Sequence, residues 1–230
     1  MFQLHDIVCH VTVIFGDTRA IGQDCGMSQA QHRSGRTVAL LLAAGSGSRF
    51  LGGIHKLTAD LAGKPVYQWA IDAALDADIG PVVLVTGAVE LTLNPTTSAN
   101  TSITIVHNPQ WSTGMAGSLQ VGLAAARQLG AEAVVVGLAD QPLVTATAWR
   151  LLAASPSPIA VATYNDKRGN PVRLHAELWD AIPKSGDEGA RSLLRIYPNL
   201  VEEVSCKGSS SDIDTLEDLA RLSNEIRKHV

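Results

Sequence analysis

Cysteine is scarce in this 230-residue chain: only Cys9, Cys25 and Cys206 occur. The number is odd and no Cys-x-x-Cys pair exists. Neither a disulfide framework nor a thiolate zinc site is suggested, and free thiols point to a reducing, cytoplasmic setting. Aromatic residues make up 4%, too few for a surface that stacks single-stranded bases. No basic run is present and the formal net charge is −4, which argues against duplex nucleic acid as a partner. No stretch approaches the roughly 20 apolar residues of a membrane span. Hydrophobic residues nonetheless reach 46% against 17% charged, enough to bury a large core.

Residues 1–35 differ from the rest. Val8 to Phe15 is apolar but short, and His5 and Asp6 precede it in place of Lys or Arg, so no secretory signal is read. Gly16 to Arg36 is polar and aperiodic, as tails are. The expectation is a poorly ordered tail over 1–35, with the natural start nearer Met27, and one domain over 36–230.

From residue 37 onward strands and helices alternate. Val38 to Leu42, Pro81 to Thr86, Ile103 to Val106, Ala133 to Val136, Ile159 to Ala162 and Leu200 to Val204 read as strands. Helices are expected from Pro65 through Leu75, and over Ser118–Leu129, Ala146–Ala154, Asp187–Ile196 and Thr215–Lys228. Strands apolar on both faces, separated by helices, predict a doubly wound, mostly parallel α/β sheet of Rossmann type. Ligands in such sheets bind at the carboxyl ends of the strands.

After the first strand comes Leu42-Ala43-Ala44-Gly45-Ser46-Gly47-Ser48-Arg49-Phe50, with Lys56 a few residues on. Small residues let backbone N–H groups turn inward as an anion-binding concavity, and Arg49 and Lys56 add positive charge. An ordinary strand-to-helix turn is the plainer alternative. A phosphate-cradling Walker loop fails, because Gly52 is followed by Gly53-Ile54 instead of Lys-Ser or Lys-Thr. The dinucleotide fingerprint fails where Phe50 replaces its third glycine.

These residues, with Gly63-Lys64-Pro65, resemble the start of the MobA-like nucleotidyltransferases. Gly114-Met115-Ala116-Gly117-Ser118-Leu119, Asp140-Gln141-Pro142, Arg168-Gly169-Asn170-Pro171, the segment Gly186 to Arg191, and the segment Asp212 to Leu219 follow in the family's order. The pattern is most similar to the molybdenum cofactor cytidylyltransferase branch. Two departures, Ala139 before the acidic turn and Asn170 where that branch often has histidine, bear on substrate more than on fold.

The resemblance implies Mg²⁺-dependent transfer of a nucleotidyl group from CTP to a phosphorylated, molybdopterin-type acceptor, with a molybdoenzyme as possible recipient of the product. It implies nucleotide contacts from Leu42, Ala43, Ala44, Gly45, Ser46, Gly47, Arg49, Lys56 and Ser118, and catalytic roles for Arg49, Lys56 and Asp140. Asp140 and Asp214 are the implied metal ligands, with Asp212 a competitor for the second place. For Asp214 a helix N-cap is the strong alternative; for Ser118, plain helix capping; for Arg49, Lys56 and Lys64, solvated loop charge. Two other readings stay open. One is an NAD(P)H-dependent oxidoreductase on the same scaffold, of the kind that reduces nicotine blue. The other is a non-catalytic accessory protein, against which Lys56 and Asp140 argue. Trp69, Trp149 and Trp179 are expected in the core.

Overall fold

The computed structural model describes residues 36–51, 53–94 and 103–228. The expected tail with Met27, Cys9 and Cys25, and most of the polar stretch 94–102, lie outside the described residues. Among those described, no helix is long and apolar enough to cross a membrane.

Nine strands are described: β1 Thr37–Ala43, β2 Asp60–Leu61, β3 Lys64–Pro65, β4 Val82–Thr86, β5 Ile103–His107, β6 Ala133–Leu138, β7 Ile159–Tyr164, β8 Lys167–His175 and β9 Val201–Ser205. The α-helices are α1 Val66–Asp76, α2 Met115–Gln128, α3 Ala146–Ala154, α4 Arg191–Ile196 and α5 Leu216–Arg227. Seven strands form one sheet in the order β5-β4-β1-β6-β8-β7-β9, and β2 pairs with β3 apart from it. β1 pairs in parallel with β4 and β6, as do β4 with β5 and β7 with β9. β8 runs antiparallel to both of its neighbours.

Every residue of β1 is buried, because helices cover both faces of the sheet. Successive side chains point to opposite faces. Ala39, Leu41 and Ala43 meet Ile71 of α1, Trp149 and Leu152 of α3, and Leu222 and Ile226 of α5. Val38, Leu40 and Leu42 meet Leu119 and Leu123 of α2 and Leu193 of α4. A methyl group added at Gly122 would overlap the Leu40 side chain, so this glycine sets how closely α2 lies on the sheet. Trp149 and Trp179 are fully buried; Trp69 is half-buried.

The chain turns from β1 to β4 on one side and comes back to β6 on the other. The loops leaving β1 and β6 therefore diverge from adjacent strand ends, which opens a crevice there.

Three expectations need correction. The stretch 164–175, expected as a loop that would face the acceptor, is mostly β8, in which Pro171, Val172 and Leu174 are buried and Lys167 and Arg168 are exposed. The helix expected over Asp187–Ile196 begins only at Arg191, since Gly189 takes the left-handed φ of 50°. The helix expected from Ser118 begins three residues earlier, at Met115, with Gly114 as its N-cap.

Candidate active site

A cleft of about 660 Å³ lies across the carboxyl ends of β1 and β6. Its floor is the glycine loop. Gly47 adopts φ 60° and its carbonyl accepts from the Phe50 N–H at 2.9 Å, closing a turn. Phe50 is buried and anchors the far side of that turn in the core.

His55 straps the loop down. Its Nε2 lies 3.0 Å from the Gly45 carbonyl, and its Nδ1 accepts from the Leu57 N–H at 3.2 Å. One ring nitrogen donates and the other accepts, which is the neutral imidazole. Burial lowers the His55 pKa, opposed in part by the Gly45 carbonyl and aided by the Lys56 charge. Sequence reasoning passed over His55; its only signal was its place directly before Lys56.

Lys56 and Arg49 both reach carboxylates. Lys56 Nζ donates to Asp140 Oδ2 at 2.7 Å and to Asp214 Oδ1 at 2.8 Å. Arg49 Nη1 lies 2.7 Å from Asp214 Oδ2. The Lys56 side chain is only 11% exposed, whereas that of Arg49 is 76% exposed. Burial by itself lowers the Lys56 pKa, but Asp140 and Asp214 outweigh it and hold the amine protonated above the ordinary lysine value. Burial raises the Asp140 pKa, opposed by Lys56 and reinforced by Asp212.

Asp140 follows β6 directly, and Asp214 lies in the segment leading to α5. The Ile213 N–H donates to the Asp140 carbonyl at 3.0 Å, tying the two segments together. Buried Gln141 adds a clamp. Its Nε2 donates to the Ser210 carbonyl at 2.8 Å, and its Oε1 accepts from Asn170 Nδ2 at 3.1 Å. Asp214 is not the helix cap: Thr215 caps α5 in a reciprocal box with Asp218. The Asp214 carboxylate is thereby left to face the cleft.

Asp140, Asp212 and Asp214 each offer an oxygen within 4.8 Å of the others. Asp140 Oδ1 is buried and has no hydrogen-bond partner among the described residues. Hard anionic oxygens with one unpartnered buried lone pair fit a divalent metal of the Mg²⁺ or Mn²⁺ type.

Other expected contacts are placed differently. The carbonyls of Leu42, Ala44 and Gly45 line the cleft but already meet Ala139 N–H, Ala88 N–H and His55. Ser118 is buried, and its hydroxyl accepts from Asn108 Nδ2 at 2.9 Å. The N-terminus of α2 is filled by the chain itself. The Gly186 carbonyl accepts from Ala116 N–H at 2.8 Å, and the Asp187 carboxylate from Met115 N–H at 3.4 Å. Lys64 lies outside the cleft, paired with Asp72 at 2.7 Å and 4.5 Å over the Trp69 ring.

The MobA-like NTP transferase domain matches residues 39–204, which takes in the glycine loop, Lys56 and Asp140. The chain belongs to the MobA-like NTP transferase family. It is 35% identical to nicotine blue oxidoreductase of Paenarthrobacter nicotinovorans, over 80% of this chain and 94% of that protein. It is 27% identical to the purine catabolism protein PucB of Bacillus subtilis, over 81% and 95%. Its fold matches that of Rv0371c from Mycobacterium tuberculosis with a TM-score of 0.68 and 26% identity, covering 82% and 98%. In this MobA-like chain the cleft shared by the loop and the three aspartates is the candidate active site.

Proposed function

We propose that this protein transfers a nucleotidyl group from an NTP, with CTP as donor, to a phosphorylated acceptor of the molybdopterin type, in the presence of Mg²⁺. An acceptor phosphate oxygen bonds to the α-phosphorus, the bond from that phosphorus to the bridging oxygen breaks, and pyrophosphate leaves. No proton need be removed from an ionised phosphate, so the work of the site is to hold charge and align oxygens. A molybdoenzyme is the partner that would take the product.

The observation that carries this reading is the meeting of Lys56 with Asp140 and Asp214 at the mouth of the glycine loop. Asp140, Asp214 and Asp212 would hold the divalent ion. The metal, when bound, neutralises phosphate charge in the transition state. Lys56 and Arg49 would grip the triphosphate as charge-assisted donors. The loop from Leu42 to Gly47 would take the base and sugar through backbone groups. Ser118 would act through Asn108, shaping the wall of the cleft. The mycobacterial protein Rv0371c has been solved in complex with manganese.

A second reading is favoured by the identity with nicotine blue oxidoreductase along nearly the whole of that protein. There the same cleft would take NAD(P)H, and no metal would be needed. Parallel assays separate the two: CTP-dependent pyrophosphate release, and NAD(P)H oxidation with quinone-like dyes, each with and without EDTA. Pyrophosphate release abolished by EDTA supports transfer. EDTA-insensitive NAD(P)H oxidation without pyrophosphate release overturns it.

A further inference from the structure

The position of Lys56 has a consequence for how metal and nucleotide enter. Its ammonium lies at 2.7 and 2.8 Å from one oxygen each of Asp140 and Asp214. Those are two of the three carboxylates that converge in the cleft. Arg49 holds the other oxygen of Asp214 at 2.7 Å. A divalent ion of the Mg²⁺ type binds such oxygens at about 2.0–2.1 Å. An ammonium bridging Asp140 and Asp214 occupies one oxygen of each carboxylate and supplies countercharge that the ion would otherwise supply.

We infer that Lys56 is a built-in competitor for the divalent metal, and that nucleotide phosphates displace it, so metal and nucleotide load together. This rests on the transferase reading of the cleft. Without nucleotide, Asp140 and Asp214 already have cationic partners, and the metal must compete with a partly buried ion pair. A triphosphate offers Lys56 and Arg49 a new anionic partner across the glycine loop. Once Lys56 swings to it, Asp140 and Asp214 are partly buried carboxylates without that countercharge, a costly state that a divalent ion relieves. Coupling of this kind is reciprocal: metal must favour nucleotide by the same factor. The device would keep the site from holding a metal with no substrate to act on.

The test is Mn²⁺ binding to the full chain, followed by the loss of the free-ion EPR signal, for the parent and Lys56→Met without nucleotide. Lys56→Met is expected to bind Mn²⁺ at least about tenfold more tightly than the parent, since the substitution removes the competitor's two charge-assisted contacts with Asp140 and Asp214. Equal or weaker binding by Lys56→Met overturns the inference. Should that variant not fold, the parent decides. Mn²⁺ at saturation frees the Lys56 amine, so its acetylation by acetic anhydride, read by mass spectrometry, is expected to accelerate several-fold. Unchanged acetylation at saturation overturns the inference. Absence of Mn²⁺ binding by the parent and by Lys56→Met, with and without CTP, would instead sink the metal site and the transferase reading with it.

Discussion

Lys56 and Asp140 are 84 residues apart in the chain, yet Nζ and Oδ2 lie 2.7 Å apart. One residue follows the glycine loop of β1 and the other follows β6. The parallel pairing of those two strands sets their loops side by side. The pair is therefore a product of strand order, and the chemistry of the cleft starts from it.

Asp140→Asn keeps the shape and a hydrogen-bond acceptor for Lys56 but removes the charge that holds a divalent ion. Pyrophosphate release is expected to fall at least about a hundredfold, a few kcal/mol of transition-state stabilisation. Steady-state turnover of parent and variant over a Mg²⁺ titration checks this. Full activity in the variant would remove Asp140 from the metal site.

His55 ties stability to pH. Burial lowers its folded pKa below the ordinary 6.5, so in the intervening window the unfolded chain binds the extra proton and the folded chain does not. The stabilisation is complete above the unfolded value and is lost as pH falls toward the folded one. Urea unfolding at pH 7.5 and pH 5.5 should show a drop for the parent on acidification. His55→Gln should show a smaller drop, because the amide does not titrate.

Thr215 and Asp218 should matter for the closing helix and not for the cleft. Thr215→Ala removes the cap of α5 at a cost of about 1 kcal/mol, or roughly 2–4 °C in Tm for a chain of this size. The Thr215 hydroxyl holds the Asp218 carboxyl below its ordinary value. That contribution is present above the unfolded pKa and is lost as pH falls through the lower folded one. Thermal melts at pH 7 and pH 3 check both statements, since the gap between parent and variant should narrow in acid.

Ser118→Ala separates two roles for that hydroxyl. Because it accepts from the buried Asn108 amide, the change should destabilise the fold by about 1–3 kcal/mol, the cost of an unsatisfied buried donor. CTP affinity measured by calorimetry should change less than twofold. A tenfold loss of affinity with an unchanged Tm would make Ser118 a direct phosphate ligand.

Much of the architecture is written locally. Val38 to Leu42 is apolar at every position, which only a strand covered on both faces requires, and β1 is such a strand. The glycine loop and Ala146–Ala154 as helix α3 are legible from residue type and spacing, and the acidic turn after β6 from its resemblance to the family's motif. β8 was not. Its Arg-Gly-Asn-Pro stretch carries loop chemistry, and only pairing with β6 and β7 makes it a strand.

The site divides the same way. The sequence determined which groups exist: a small-residue loop, two cations after it, and aspartates at strand and helix ends. The tertiary structure decided what each one meets. It gave the cap of α5 to Thr215 and turned Asp214 into the cleft, filled the N-terminus of α2 with Asp187, and seated Lys56 between two carboxylates. Side-chain pairing depends on distances across the sheet, and those are set by strand order and register, which no local window of sequence contains.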